Sequence, residues 1–322
     1  MKALISLLAL AIGAIGAGSA GAQDFPSRPV RIIVPLSAGS AFDILARAIG
    51  TRFQERTGQA VVIENRVGGN MSVAANACKS APDDGYTICI FTQNIILNPL
   101  LYAKLTYDPF KDLTPVALVA FQQQVLIASK SLPVSNFDEL VKYSKENPGK
   151  LNYASIGAGS DSHLILEWMR VVSGGNWTHV PFNGSPQALL AISGGDVHLL
   201  LTTAGNVLQQ ISSGEFKAIA MRGERRSFLL PEVPTFAEIG LPPLQARSWA
   251  GFLAPTGVPP AIVAKLSAEI RAIIAEPDFQ ERFMRKVALE PAGLNASEFK
   301  LFLAADQAAW APLIQSSGVE LK

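Results

Sequence analysis

Short β-branched runs alternate with longer helical patterns through most of this chain, and that alternation constrains its fold more than any other feature. Strand-like runs occupy residues 30–35, 60–64, 86–91, 116–120, 125–128, 151–155, 179–182, 197–201, 217–221 and 248–254. Helical patterns lie between them at 42–56, 136–145, 162–172, 186–192 and 204–212. In the first of these, Phe42, Leu45, Ile49 and Phe53 share one face. Such a β-α-β rhythm argues for the doubly wound α/β class, with mostly parallel sheets covered by helices. The last third changes character, and 259–275, 277–287 and 296–316 read as consecutive helices.

With 322 residues the chain is long enough for two domains, each with its own core. Its 49% apolar content excludes a disordered polymer, and 27 basic against 26 acidic residues exclude the broad cationic footprint of a nucleic-acid binder. Met1–Ala22 reads as a secretory signal peptide. Lys2 opens it, an apolar run follows to Ile15, and Ala20-Gly21-Ala22 supplies small residues for cleavage before Gln23. The run is shorter than the ~20 residues a bilayer needs, and no later segment is long and apolar enough to span one. Cleavage removes one cation and no acid, leaving 26 of each sign and an exported, uncharged globule. An oxidising compartment favours a structural bond between Cys78 and Cys89, the alternative being two buried thiols. Neither belongs to a C-x-x-C pair.

A local pattern recurs: strand, glycine and serine turn, helix. It appears at 32–40 and again at 152–160, about 120 positions later, as two α/β halves facing one cleft would arrange it. Helix starts leave backbone N–H groups without partners and carry partial positive charge, so a small carboxylate is the natural guest of either turn. The competing reading makes Ser40, Asp43, Ser160 and Asp161 ordinary helix caps. Phe42 likewise faces either the core or the cleft.

Catalytic readings are weaker. The mature chain contains no G-x-S-x-G, phosphate-loop or dinucleotide fingerprint. His163 and Glu167 have the spacing of a metal pair without a visible third ligand. A hydrolase built on Ser160 and His163 lacks an evident orienting acid.

The sequence resembles the Bug receptors of tripartite tricarboxylate transporters. The likeness runs through Pro26-Ser27-Arg28-Pro29-Val30-Arg31, Gly39, Asp43, Glu64-Asn65-Arg66, Gly68-Gly69-Asn70 and Pro82-Asp83-Asp84-Gly85-Tyr86. It continues at Asn98-Pro99, Pro148-Gly149-Lys150, Gly159-Ser160, His179-Val180-Pro181-Phe182, Gly194-Gly195-Asp196, Leu230-Pro231-Glu232-Val233-Pro234 and Ser248-Trp249. This resemblance implies a periplasmic binding protein with two α/β domains closing like a flytrap on a small organic acid. It implies no cofactor, no metal and no catalysis, and it implies delivery to a membrane permease or, in some members, to a sensor. The mature chain would be a soluble monomer, with 23–122 plus 247–322 forming one domain and 123–246 the other.

The ligand-facing set implied by the resemblance comprises Leu36, Ser37, Ala38, Gly39, Ser40, Ala41, Phe42 and Asp43 in the first loop, with Asn94. From the second half it takes Ser155, Gly157, Ala158, Gly159, Ser160, Ser162, His163, Phe182, Asn183, Gly184, Thr202 and Thr203. Where the family commonly has Phe-Asp-Asn, this chain has Leu201-Thr202-Thr203. The missing acid disfavours an amino-acid ligand, and a cleft-facing Phe42 would favour an aromatic carboxylate.

Overall fold

The computed structural model describes residues 25–319 and 321, so the expected signal peptide lies outside the described residues. Among the described residues, eleven strands form two sheets. The first is built from β1 (Val30–Val34), β2 (Val61–Asn65), β3 (Thr87–Thr92), β4 (Leu113–Gln122), β10 (Trp249–Pro255) and β11 (Leu289–Leu294), in the order β11-β4-β10-β3-β1-β2. The second contains β5 (Gln124–Ser129), β6 (Asn152–Ser155), β7 (Thr178–Pro181), β8 (Leu199–Thr203) and β9 (Phe216–Arg222), in the order β7-β6-β8-β5-β9.

Each sheet is mixed rather than mostly parallel. β2-β1-β3 and β7-β6-β8 are parallel trios, as β-α-β connections require. β10, β4 and β11 in one sheet, and β5 and β9 in the other, join antiparallel. The difference has a topological cause. β4 leaves the first sheet and becomes β5 of the second after a single residue, Gln123, and β10 returns; β5 inserts between β8 and β9 and β10 between β3 and β4, each running against both neighbours.

Helices cover both faces. In the first half these are α1 (Ala41–Thr57), α2 (Ser72–Lys79) and α3 (Asn94–Leu101). In the second they are α4 (Phe137–Glu146), α5 (Asp161–Ser173), α6 (Ser185–Gly194) and the short α7 (Leu208–Ser212). The chain ends with α8 (Pro260–Ala275), a series of short helical turns over 277–287, and α9 (Ala296–Ser317). Ile32 packs among Leu45, Ile49, Phe53 and Ile270 under α1 and α8. Its neighbour Ile33 packs on the other face with Phe91, Trp249, Phe299 and Leu303, the two-sided burial of a sheet interior. Cys78 at the end of α2 and Cys89 in β3 are disulfide-bonded, with Cα atoms 6.3 Å apart.

α9 belongs to both halves. Its Phe299 and Leu303 fill the first core, while Trp310, Leu313 and Ile314 join Leu126, Leu164 and Ile165 in the second. The expected boundary put 247–322 wholly with the first sheet, yet this helix ends against α5.

Candidate functional site

Both glycine-serine turns emerge at the carboxyl ends of parallel strands, between β1 and α1 and between β6 and α5, where α/β folds place ligands. In the first turn Ser37, Ala38 and Gly39 are exposed, while Leu36, Ser40 and Ala41 are half-buried. Gly39 has φ +81°, a conformation that glycine adopts without strain. Ser40 caps α1 by accepting from the Asp43 N–H.

Asp43 is buried, its carboxylate turned onto the backbone of the loop and onto its neighbours. Its Oδ2 accepts from the Gly39 N–H at 2.9 Å and from Arg47 Nε at 2.9 Å, and its Oδ1 accepts from Asn65 Nδ2 at 2.9 Å. Burial alone would raise this carboxyl; the hydrogen bonds from Arg47, Gly39 and Asn65 outweigh it and hold the group below the usual range. Asn65 also donates to the Leu36 carbonyl at 2.8 Å. Asp43 is therefore a buttress shaping the turn rather than a ligand-facing acid. Phe42 is 7% exposed and lies in the first core with Val30 and Ile32, so the basis for an aromatic stacking surface is gone.

The second turn is tighter. Gly159 has φ +74°, and a Cβ there would come within 2.5 Å of Leu321 Cδ1 and 3.2 Å of Leu101 Cδ1. Any other residue would be strained at this φ and would have to push the ends of the Leu321 and Leu101 side chains aside, so glycine eases the loop's approach to the end of α3. The Ser160 hydroxyl donates to the Gly157 carbonyl at 2.6 Å and caps α5 at the His163 N–H, while Ser162 Oγ accepts from the Ile156 N–H. Ser155 is fully buried, its Oγ 2.7 Å from His179 Nε2. Ala158 is exposed and Gly157 half-buried.

His163 cannot serve Ser160 as a base. Its Nδ1 accepts from the Gly159 N–H at 3.0 Å, and its ring stacks on His179 with centroids 3.8 Å apart. Burial lowers both imidazoles, His179 to about 4, so both are neutral near pH 7. The hydrolase reading fails on this geometry. Glu167 is likewise spent, accepting from Tyr153 at 2.7 Å and from Arg170 at 2.8 Å.

Phe182 leans on the second core, Asn183 is exposed and Gly184 half-buried. Thr202 accepts from Asn206 Nδ2 at 3.4 Å, and Thr203 donates to Gln122 at 3.0 Å, which ties β8 to the first crossing strand. Among the described residues no hydrogen bond links 36–43 to the second half. The second turn, in contrast, meets the first half through Asp161. Its Oδ2 accepts from Gln124 Nε2 at 2.8 Å and from Ser248 Oγ at 3.3 Å, beside Arg222 at 3.6 Å.

Sequence reasoning singled out Asn65, Asn70 and Asn98 only as residues that carry the resemblance, without a role in the site, and it missed Gln93, Gln124 and Arg222. Their visible signal is amides set in apolar surroundings, such as Gln93-Asn94 and Asn98 around Ile95-Ile96-Leu97, and the triplet Gln122-Gln123-Gln124 between two strands. Asn94 is 3% exposed and donates to Asn70 Oδ1 at 2.8 Å. The two turns present two helix starts and an exposed Ser37; the Gly39, Ile156, Gly157 and Gly159 N–H groups are bonded within the turns, and every acid around them is bonded as well. Such helix starts suit an anion.

Comparison with known proteins agrees. The family described as tripartite tricarboxylate transporter family receptor matches residues 45–319. Among solved structures, that of R. palustris Rpa4515 with adipate is 33% identical, with a TM-score of 0.87 over 92% of this chain and 99% of that one. Periplasmic binding protein BugD is 31% identical, with a TM-score of 0.85 over 92% of this chain and 100% of its own. MatC (Rpa3494) from Rhodopseudomonas palustris with bound malate is 30% identical, with a TM-score of 0.82 over 90% and 100%.

Proposed function

Because this chain belongs to the tripartite tricarboxylate transporter receptor family, a family of solute-binding proteins and not of enzymes, we propose that it captures a small organic carboxylate between its two halves. It then hands the acid to the membrane subunits of a tripartite transporter. The observation that carries the ligand class is the pair of turns at 36–43 and 155–163, each opening a helix with backbone donors and neither presenting an unpaired acid. Two structures it resembles hold dicarboxylates, adipate and malate, which supports the same class here. The protein reaches the periplasm through the signal peptide at 1–22, and it works as a soluble monomer of two domains, divided near Gln123 and Arg247.

Ligand-driven closure supplies the output. A ligand shifts an open–closed equilibrium only by its differential affinity for the two states, so the acid must touch both turns in the closed form. Native mass spectrometry of the protein taken from the periplasm tests this function. A chain beginning at Gln23 and carrying a displaceable small acid is expected. A chain that retains Met1–Ala22, or an added mass that no carboxylate displaces, would refute it.

A further inference from the structure

α3 starts at the carboxyl end of β3, the strand that lies next to β1 and so to the first turn, while its far end meets the second turn at Gly159. No side chain caps it, although α1 and α5 are both capped by serine. Its first residue, Asn94, is almost wholly buried, and Asn94 Oδ1 has no hydrogen-bond partner among the described residues. A buried carbonyl oxygen without a donor is costly, and native structures rarely keep one without a use.

The orientation of this amide follows from its neighbours. Asn98 Nδ2 donates to the Asn70 main-chain carbonyl at 2.8 Å, an atom that can only accept, so Asn98 Oδ1 faces Asn70. That oxygen accepts from Asn70 Nδ2 at 2.8 Å, which leaves Asn70 Oδ1 to accept from Asn94 Nδ2 at 2.8 Å. The relay ends with Asn94 Oδ1 as an acceptor awaiting a proton. Tyr102, at the other end of α3, brings this patch to the second half. Its hydroxyl lies 3.6 Å from where a Cβ on Gly159 would project.

We propose that Asn94 reads a hydroxyl on the bound carboxylate, so that the receptor prefers hydroxy acids to their deoxy counterparts. This rests on the carboxylate reading above. An acceptor oxygen repels a carboxylate, so the part of the ligand that meets Asn94 carries a donor. An ammonium would need a counter-charge, but Asp43, Asp161 and Glu167 are all spent on protein donors. A hydroxyl needs none.

Calorimetric titration of matched pairs tests this: malate against succinate, citrate against tricarballylate, and 2-hydroxyglutarate against glutarate. The hydroxy member of the best-binding pair is expected to bind about tenfold more tightly, the loss that follows when a buried acceptor goes unpaired. Asn94→Leu should bring that pair to near equality, whereas Asn94→Asp, which keeps an acceptor, should retain the ratio at weaker overall affinity. Equal binding of both members by the wild-type chain overturns the proposal, since the acceptor would then be satisfied by something both share, such as water. A preference that survives in Asn94→Leu overturns the assignment to Asn94. The wild-type comparison decides even if a variant folds poorly. If no acid of any pair binds, the carboxylate reading falls first and this proposal with it.

Discussion

Asp43 shows how a single buried side chain can shape a binding loop without touching the ligand. Its two oxygens accept three hydrogen bonds that fix Gly39, Arg47 and Asn65 in place. Asp43→Ala strips all three donors, and denaturant unfolding is expected to show a loss of about 2 kcal/mol. The carboxyl is held below its ordinary range, so the unfolded chain binds its proton more readily. Its contribution is complete above pH ~4 and disappears as pH falls through the lower folded value. His179 works in the opposite sense. Its folded pKa of about 4 lies below the ordinary 6.5, so the unfolded state takes up a proton first as pH drops from 6.5 towards 4. Melting temperature should decline over that window, and His179→Gln, which keeps a polar partner for Ser155, should make the decline shallower. Much of this scale was hidden in the sequence. Phe42 lay on the helix stripe with Leu45 and Ile49, and the core won because that stripe faces the sheet. Asn65 and Asn70 stood out as motif residues, but their roles were hidden because the groups they hold, Leu36 and Asp43 for Asn65 and α3 for Asn70, are distant in sequence.

Element identity was far more legible, because a strand buried on both faces and an amphipathic helix each leave a periodic signature. All ten strand-like runs became strands, with ends shifted by at most three residues. β11 escaped because Pro291 and Gly293 break its pattern, and α3 escaped because Pro99 sits inside it and apolar residues surround it on every side. The 277–287 stretch was expected as one helix and instead forms short turns of differing pitch that deliver the chain to β11. At this scale the Cys78–Cys89 bond ties α2 to β3 across an 11-residue separation. Closing so short a loop in the unfolded chain is worth about 3 kcal/mol. The Cys78→Ala, Cys89→Ala double variant should therefore melt several degrees lower. An unchanged melting temperature would mean that the bond does not constrain the unfolded chain.

Across the whole molecule, two sheets are joined by crossing strands, and the polar groups at those crossings form one buried network. Arg222 is buried, donates to Gln124 Oε1 at 2.7 Å and to the Ala246 carbonyl at 2.8 Å, and lies over the Trp310 ring. Asp306 accepts from the indole N–H of Trp249 at 2.8 Å and from the Arg247 N–H at 2.9 Å. Burial raises the Asp306 carboxyl, and burial lowers the Arg222 guanidinium. Asp161 joins this network to the start of α5, so the second turn is coupled to both crossings. Asp161→Ala would take from the buried Arg222 guanidinium the carboxylate it pairs with at 3.6 Å, leaving only Asp306 to balance it, and a loss of about 3 kcal/mol is expected by denaturant unfolding. Two α/β halves were readable from the recurring strand-turn-helix pattern. The mixed direction of the sheets was not, because pairing partners such as β4 and β10 are remote in sequence. The central claim is that these halves close on a carboxylate, and titration calorimetry of the mature chain against mono-, di- and tricarboxylates at neutral pH tests it most directly. Saturable one-to-one binding of at least one acid, abolished when its carboxylates are converted to amides, is the predicted result. Equal binding of acid and amide, or no heat with any carboxylate, would contradict it.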